Sequence, residues 1–141
     1  MLLRAESAES ASLPFDADHQ GSNMIIITAT LSFETEADRD NAVALTADVQ
    51  KATRDDEPGC LAYCFAADPA APTHVQVYEL WTDPENLRAH FDHPNYAKMV
   101  DVLRNCGGFV HSENRLYAAE DRGPVYDHNG FRFDAVADTG D

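Results

Sequence analysis

Residues 77–96, "VYELWTDPENLRAHFDHPNY", carry the chain from a strand into a helix. Val77, Glu79 and Trp81 alternate with Tyr78 and Leu80, the two-residue period of a strand with two distinct faces. Asp83-Pro84 suits a helix start, because the acid can accept from free backbone N–H groups and proline fits the first turn. Leu87, His90 and Phe91 then share one helix face until Pro94 interrupts it. A tryptophan at a strand end and a histidine on an apolar helix face admit two readings. They wall a reaction chamber, or they are core with polar groups caught in it.

Outward from this stretch the same periods recur. "HVQVYELW" makes a strand from His74, and "CLAYCFAA" before it makes another, with Leu61, Tyr63 and Phe65 on one face and Cys60, Ala62, Cys64 and Ala66 on the other. "MIIITATLSF" opens at Met24 with Ile25, Ile27, Ala29, Leu31 and Phe33 facing one way. Thr35 with Asp38 resembles a capping box, and Ala42, Leu45, Val49 and Ala52 follow at helical spacing until Pro58-Gly59 ends the segment. Beyond Pro94, Tyr96, Met99, Val100 and Leu103 resume a helical stripe. Gly107-Gly108 closes it, and "FVHSENRLYAA" is read as a last strand of weak alternation.

Strand, helix, strand, strand, helix, strand is the order of an α+β, ferredoxin-like βαββαβ plait with an antiparallel sheet. Its helices cover one sheet face only. Strands 59–67 and 74–81 are apolar or aromatic on both faces, so the second face also needs cover, and a matching sheet from another copy of the chain supplies it most simply. A homodimer is therefore expected. Residues 1–23 show no apolar period and are read as a mobile extension; 24–119 form the domain, and 120–141 a second extension with turn signals and the aromatic run "GFRF".

The formal net charge is −15, from 25 acidic against 10 basic side chains. Such a surface repels phosphate backbones and anionic lipid, which argues against nucleic-acid and membrane binding. No run approaches the length of a bilayer span and the start lacks a signal-peptide core, so the cytoplasm is the expected location. Cys60, Cys64 and Cys106 are read as reduced structural thiols, with Cys60 and Cys64 pointing the same way from one strand, too far apart to bond. His90 and His93 could share a metal with Asp92 or His128, but Asp92 does not face both, and no metal is expected.

"EPGCLAY" followed by "VYELWTDPENLRAHFDHPNY", both after "MIIITATL", resembles the antibiotic biosynthesis monooxygenase family over about residues 24–119. The resemblance implies a dimeric α+β barrel with a cavity between sheet and helices, and cofactor-independent oxygenation of quinol-like or polyketide-like aromatic substrates by O2. Relatives with the same plait degrade haem or isomerise small oxygenated metabolites, and fold alone does not separate them. Ala29 stands near the place of the strand asparagine of haem-degrading relatives, which counts against haem. A non-catalytic dimer binding a small hydrophobic molecule is the alternative from another class.

Carried over residue by residue, Trp81 matches the cavity tryptophan, His90 the helix histidine, Glu79 the strand glutamate and Tyr63 the tyrosine after the E-P-G turn. Many members have histidine after the helix proline, where this chain has Asn95. His90 is the candidate base, since imidazole titrates near neutrality. Trp81 would offer its indole N–H to a substrate oxygen. Glu79 would be a catalytic or orienting carboxylate, or a structural ion-pair partner of Arg88 or Arg104. Tyr63, Phe91, Asn95, Tyr96 and Met99 would line the substrate site.

Overall fold

The computed structural model describes residues 23–137. The extension expected over 1–23 thus lies, apart from Asn23, outside the described residues. The elements of the domain are β1 (Met24–Phe33), α1 (Glu36–Asp56), β2 (Cys60–Ala67), β3 (His74–Trp81), α2 (Pro84–Asp92), α3 (Pro94–Asn105) and β4 (Phe109–Ala119). Their strands pair antiparallel in the order β2-β3-β1-β4. This is the expected plait, with helices packed on the sheet.

The inner sheet face is made by alternation. Ile25, Ile27, Ala29, Leu31 and Phe33 of β1, Val75, Val77 and Trp81 of β3, and Tyr63 and Phe65 of β2 are all buried. They meet Ala42 and Val49 of α1, Leu87 of α2, and Met99 and Leu103 of α3 in one core. Among the described residues α1, α2 and α3 leave the opposite face uncovered, as its exposed tyrosines show. There the register lines up Ala62, Leu80, Ile26 and Tyr117 in one row, and Cys64, Tyr78, Thr28 and Arg115 in the next. Tyr78 and Tyr117 are exposed on it.

Two local expectations need correction. The buried stripe of α1 is Ala42, Thr46, Val49, Gln50 and Thr53, whereas Leu45 is exposed. Polar residues can face the sheet because each finds a partner: Thr46 and Thr53 donate to the carbonyls of Ala42 and Val49, four residues back. Gln50 accepts from the Phe65 N–H and donates to the Phe65 carbonyl, and Arg54 donates to the Tyr63 carbonyl. α1 thus occupies the outer backbone edge of β2 and shields it from pairing with another strand.

The second correction concerns β2. Its register against β3 shifts between Cys60 and Ala62, so Cys60 lies opposite Trp81 and packs against the core while Leu61 is exposed. Cys60 and Cys64 consequently sit on opposite faces, because a bulge reverses the alternation that a regular strand would keep. The three cysteines are free and each is half-buried.

Caps and breakers stand where the residues predict. The Thr35 hydroxyl accepts from the Asp38 N–H, and the Asp83 carboxylate accepts from the Asn86 N–H. Pro94 divides α2 from α3, and His93 between them ends one helix and caps the next. After β4 the chain forms a hairpin, β5 (Tyr126–Asp127) with β6 (Gly130–Phe131), and a short α4 (Phe133–Val136). Arg132 donates to the carbonyls of Arg122 and Pro124, and Arg122 to those of Ala135 and Ala137. Val125, Tyr126, Phe131, Phe133 and Val136 remain exposed.

Candidate active site

The site begins at the end of α1. Glu57 is its C-terminal cap residue, and Pro58-Gly59 turns the chain into β2. Gly59 has φ +79°, and a Cβ there would lie 2.4 Å from the Asn86 amide nitrogen, so only glycine lets this turn close on the start of α2. That close approach sets Glu57 beside the far end of α2. Its Oε1 is 2.7 Å from His90 Nδ1, with both side chains nearly sealed from water. Asn95 donates to the other carboxylate oxygen at 3.1 Å.

Burial lowers the His90 pKa; the Glu57 carboxylate pushes the other way without overcoming it. The imidazole is therefore neutral near pH 7, and the short contact is an Nδ1–H donating to Glu57. Nε2 is then the nitrogen left to receive a proton, and Glu57 stands ready to stabilise the imidazolium that would form. His93 lies 3.8 Å from Glu57, but its Nδ1 accepts the Asn95 N–H as the cap of α3, so it is a capping group and not a second proton donor to the carboxylate.

His90 is ringed by aromatics. Its ring centroid is 4.6 Å from Trp81 in a tilted stack, 5.4 Å from Tyr63, 5.4 Å from Tyr96 and 5.8 Å from Phe91. Tyr63 and Trp81 come from neighbouring strands of the inner face; Phe91 and Tyr96 flank the helix break. Met99 is fully buried one turn beyond Tyr96. Six of the eight residues singled out from sequence, His90, Trp81, Glu79, Tyr63, Phe91 and Tyr96, thus converge.

The indole N–H of Trp81 is already engaged. It donates to Glu79 Oε1 at 3.0 Å, within one strand. Burial pushes the Glu79 pKa up to about 7; the indole bond lowers it and the charge of Glu57 raises it. The side-chain amide of Asn95 is bound to Glu57. In the sequence Glu57 stands out only as the first residue of the E-P-G turn, and nothing in the periodicity marks it as the partner of His90. Among the described residues no three His, Cys, Asp or Glu side chains come together to hold a metal ion.

The model of the antibiotic biosynthesis monooxygenase family matches residues 24–102, more than half of the chain. The chain belongs to this family. Solved structures with the same fold include a candidate antibiotic biosynthesis monooxygenase from Deinococcus radiodurans, 24% identical, covering 73% of this chain and 99% of its own, with a TM-score of 0.62. A second, from Caulobacter crescentus, is 19% identical over 72% of this chain and 93% of its own, with a TM-score of 0.63. SnoaB, a cofactor-independent oxygenase from Streptomyces nogalater, is 17% identical over 72% and 98%, with a TM-score of 0.54. At these identities the likeness is one of fold. No functionally curated protein matches the sequence. No helix among the described residues is long and apolar enough to cross a membrane.

Proposed function

We propose that this member of the antibiotic biosynthesis monooxygenase family is a cytoplasmic, homodimeric, cofactor-independent monooxygenase that oxidises a quinol-like or polyketide-like aromatic substrate with O2. The observation that carries the reading is the buried Glu57–His90 pair set among four aromatic rings. It joins a neutral base to an apolar, flat-walled surround, which suits a planar acid of weak acidity.

In this reading His90 takes the acidic proton at Nε2, and Glu57 stabilises the resulting imidazolium. The substrate anion gives one electron to O2, and the two radicals combine to a peroxide. In a substrate with an anthrone-like CH2 group, the peroxide takes the proton held on His90 and loss of water leaves one oxygen atom on carbon: CH2 plus O2 becomes C=O plus H2O. The protein's part is to remove the proton, hold the anion and exclude water. Tyr63, Phe91, Tyr96 and Met99 supply the apolar lining, and the second sheet face, with Ile26, Leu80 and Tyr117 aligned, is the surface for the second copy.

Oxygen uptake by metal-free protein across a panel of quinols and anthrones tests this. Uptake above autoxidation, abolished in His90→Ala, is the expected result. The near-complete enclosure of Trp81, Tyr63 and His90 also favours a second reading, a non-catalytic dimer that closes around a small apolar molecule. Tight binding without turnover would select it, and a product of unchanged mass would select an isomerase.

A further inference from the structure

Among the described residues, the one buried side-chain oxygen or nitrogen without a hydrogen-bond partner is the Tyr63 hydroxyl. Tyr63 is 1% exposed, stands directly across from Glu79 in the β2–β3 register, and has its ring edge-on to His90. A buried phenol with no partner costs stability, and phenylalanine would fill the same volume without that cost. The polar groups beside it are committed elsewhere: the Trp81 N–H to Glu79, and the Glu57 carboxylate to His90 and Asn95.

We propose that the Tyr63 hydroxyl is the hydrogen-bond donor to one oxygen of the bound substrate, the oxygen that becomes an anion when His90 removes a proton. This rests on the function proposed above and assigns the group that recognises the hydroxyl or enolisable carbonyl of its substrate. The proton passes from substrate to His90 Nε2, and the electron pair stays on the substrate, shared with its oxygen. Tyr63 keeps its own proton throughout. Burial, reinforced by the carboxylates of Glu79 and Glu57, pushes its pKa well above that of a free phenol, so it is a donor at any working pH. Glu79, across the strand, is half-protonated only near pH 7, so below that pH it does not repel the anion. A buried phenol that keeps its proton is a donor suited to an oxyanion.

The test is Tyr63→Phe in the full chain, read in two ways. Its melting temperature should equal or exceed that of the native protein, because an unpaired group has been removed. Its affinity for p-nitrophenol, whose absorbance separates phenol from phenolate, should fall about tenfold or more, with the bound anion losing most. Native protein that binds only the neutral phenol, or does not bind it, overturns the assignment. So does a variant that binds phenolate unchanged, or one that melts clearly lower. Independently of the variant, the ζ-carbon resonance of Tyr63 in native protein must shift when p-nitrophenol is added; a still resonance overturns the assignment. Tyr63-dependent phenolate binding without oxygen uptake would sink the oxygenase reading and leave this one standing. Oxygen uptake indifferent to Tyr63→Phe would do the reverse.

Discussion

Glu57 Oε1 and His90 Nδ1 lie 2.7 Å apart and join the end of the first helix to the last turn of the second. Neither residue is near the other in sequence, and both are buried. The pair decides which nitrogen of the imidazole can act, because the carboxylate holds the proton on Nδ1. Burial alone would leave a neutral histidine of either tautomer.

Glu57→Gln should therefore be more damaging to turnover than to folding. The amide can offer its NH2 to Nδ1 and favour the tautomer that carries a proton on Nε2, where the base should be free. Oxygen uptake should fall about a hundredfold. The stability cost, one charged hydrogen bond weakened, should be about 1–3 kcal/mol by thermal or denaturant unfolding. A variant that keeps native turnover would show that His90 does not act through Glu57.

Trp81→Phe tests the strand pair. The ring is largely kept, so packing loss is small, but Glu79 loses its donor. Because that bond lowers the Glu79 pKa, the acid should titrate higher than about 7 in the variant, as followed by the carboxyl carbon resonance. An unmoved titration would mean that the indole bond does not control Glu79. Turnover should fall less than in His90→Ala, since Trp81 supports the site and does not carry the proton.

Glu79 also gives the fold a pH dependence. It is half-ionised near pH 7 in the folded protein and near 4.5 when free, so between those values the unfolded chain has released a proton that the fold retains. Its contribution is fully present below pH 4.5 and is lost as pH rises through about 7, a loss of about 3 kcal/mol at most. Glu79→Gln still accepts from Trp81 but cannot ionise. Between pH 5 and pH 8, two test values of order set by those pKa values, the variant should lose less stability than the native protein. Parallel melting curves would refute the assignment of a raised pKa.

The uncovered sheet face carries the prediction about assembly. Ile26 and Leu80 are Cα partners in its apolar row. If this face joins two copies as proposed, Ile26→Glu should shift the protein toward monomer in sedimentation and lower its melting temperature, since dimerisation would then be linked to folding. A native protein that sediments as a folded monomer at micromolar concentration would overturn the dimer itself.

Element order was legible in the chain because two- and 3.6-residue periods record which side of each segment meets the core, and caps such as Thr35 and Asp83 act within one turn. For the same reason the cluster of Trp81, His90, Phe91 and Tyr96 was visible as a group: these residues lie within one strand–helix unit. Periodicity reads apolar surface, however, and not partnered polar surface. Leu45 fits the apolar period and Thr46 and Gln50 do not, yet Thr46 is buried because it donates to the Ala42 carbonyl within its own helix, and Gln50 because the Phe65 backbone of β2 lies alongside.

The sequence by itself determined the plait and the family, and it placed Trp81, His90, Phe91 and Tyr96 within one short stretch. The tertiary structure alone decided which of those residues are already spoken for. Trp81 gives its N–H to Glu79, Asn95 gives its amide to Glu57, and the Tyr63 hydroxyl is left with no partner. Hydrogen bonds depend on distance and direction between atoms, and Glu57 and His90 are 33 residues apart. Their contact exists only because the Gly59 turn lets β2 close against α2, a geometry that no local pattern encodes.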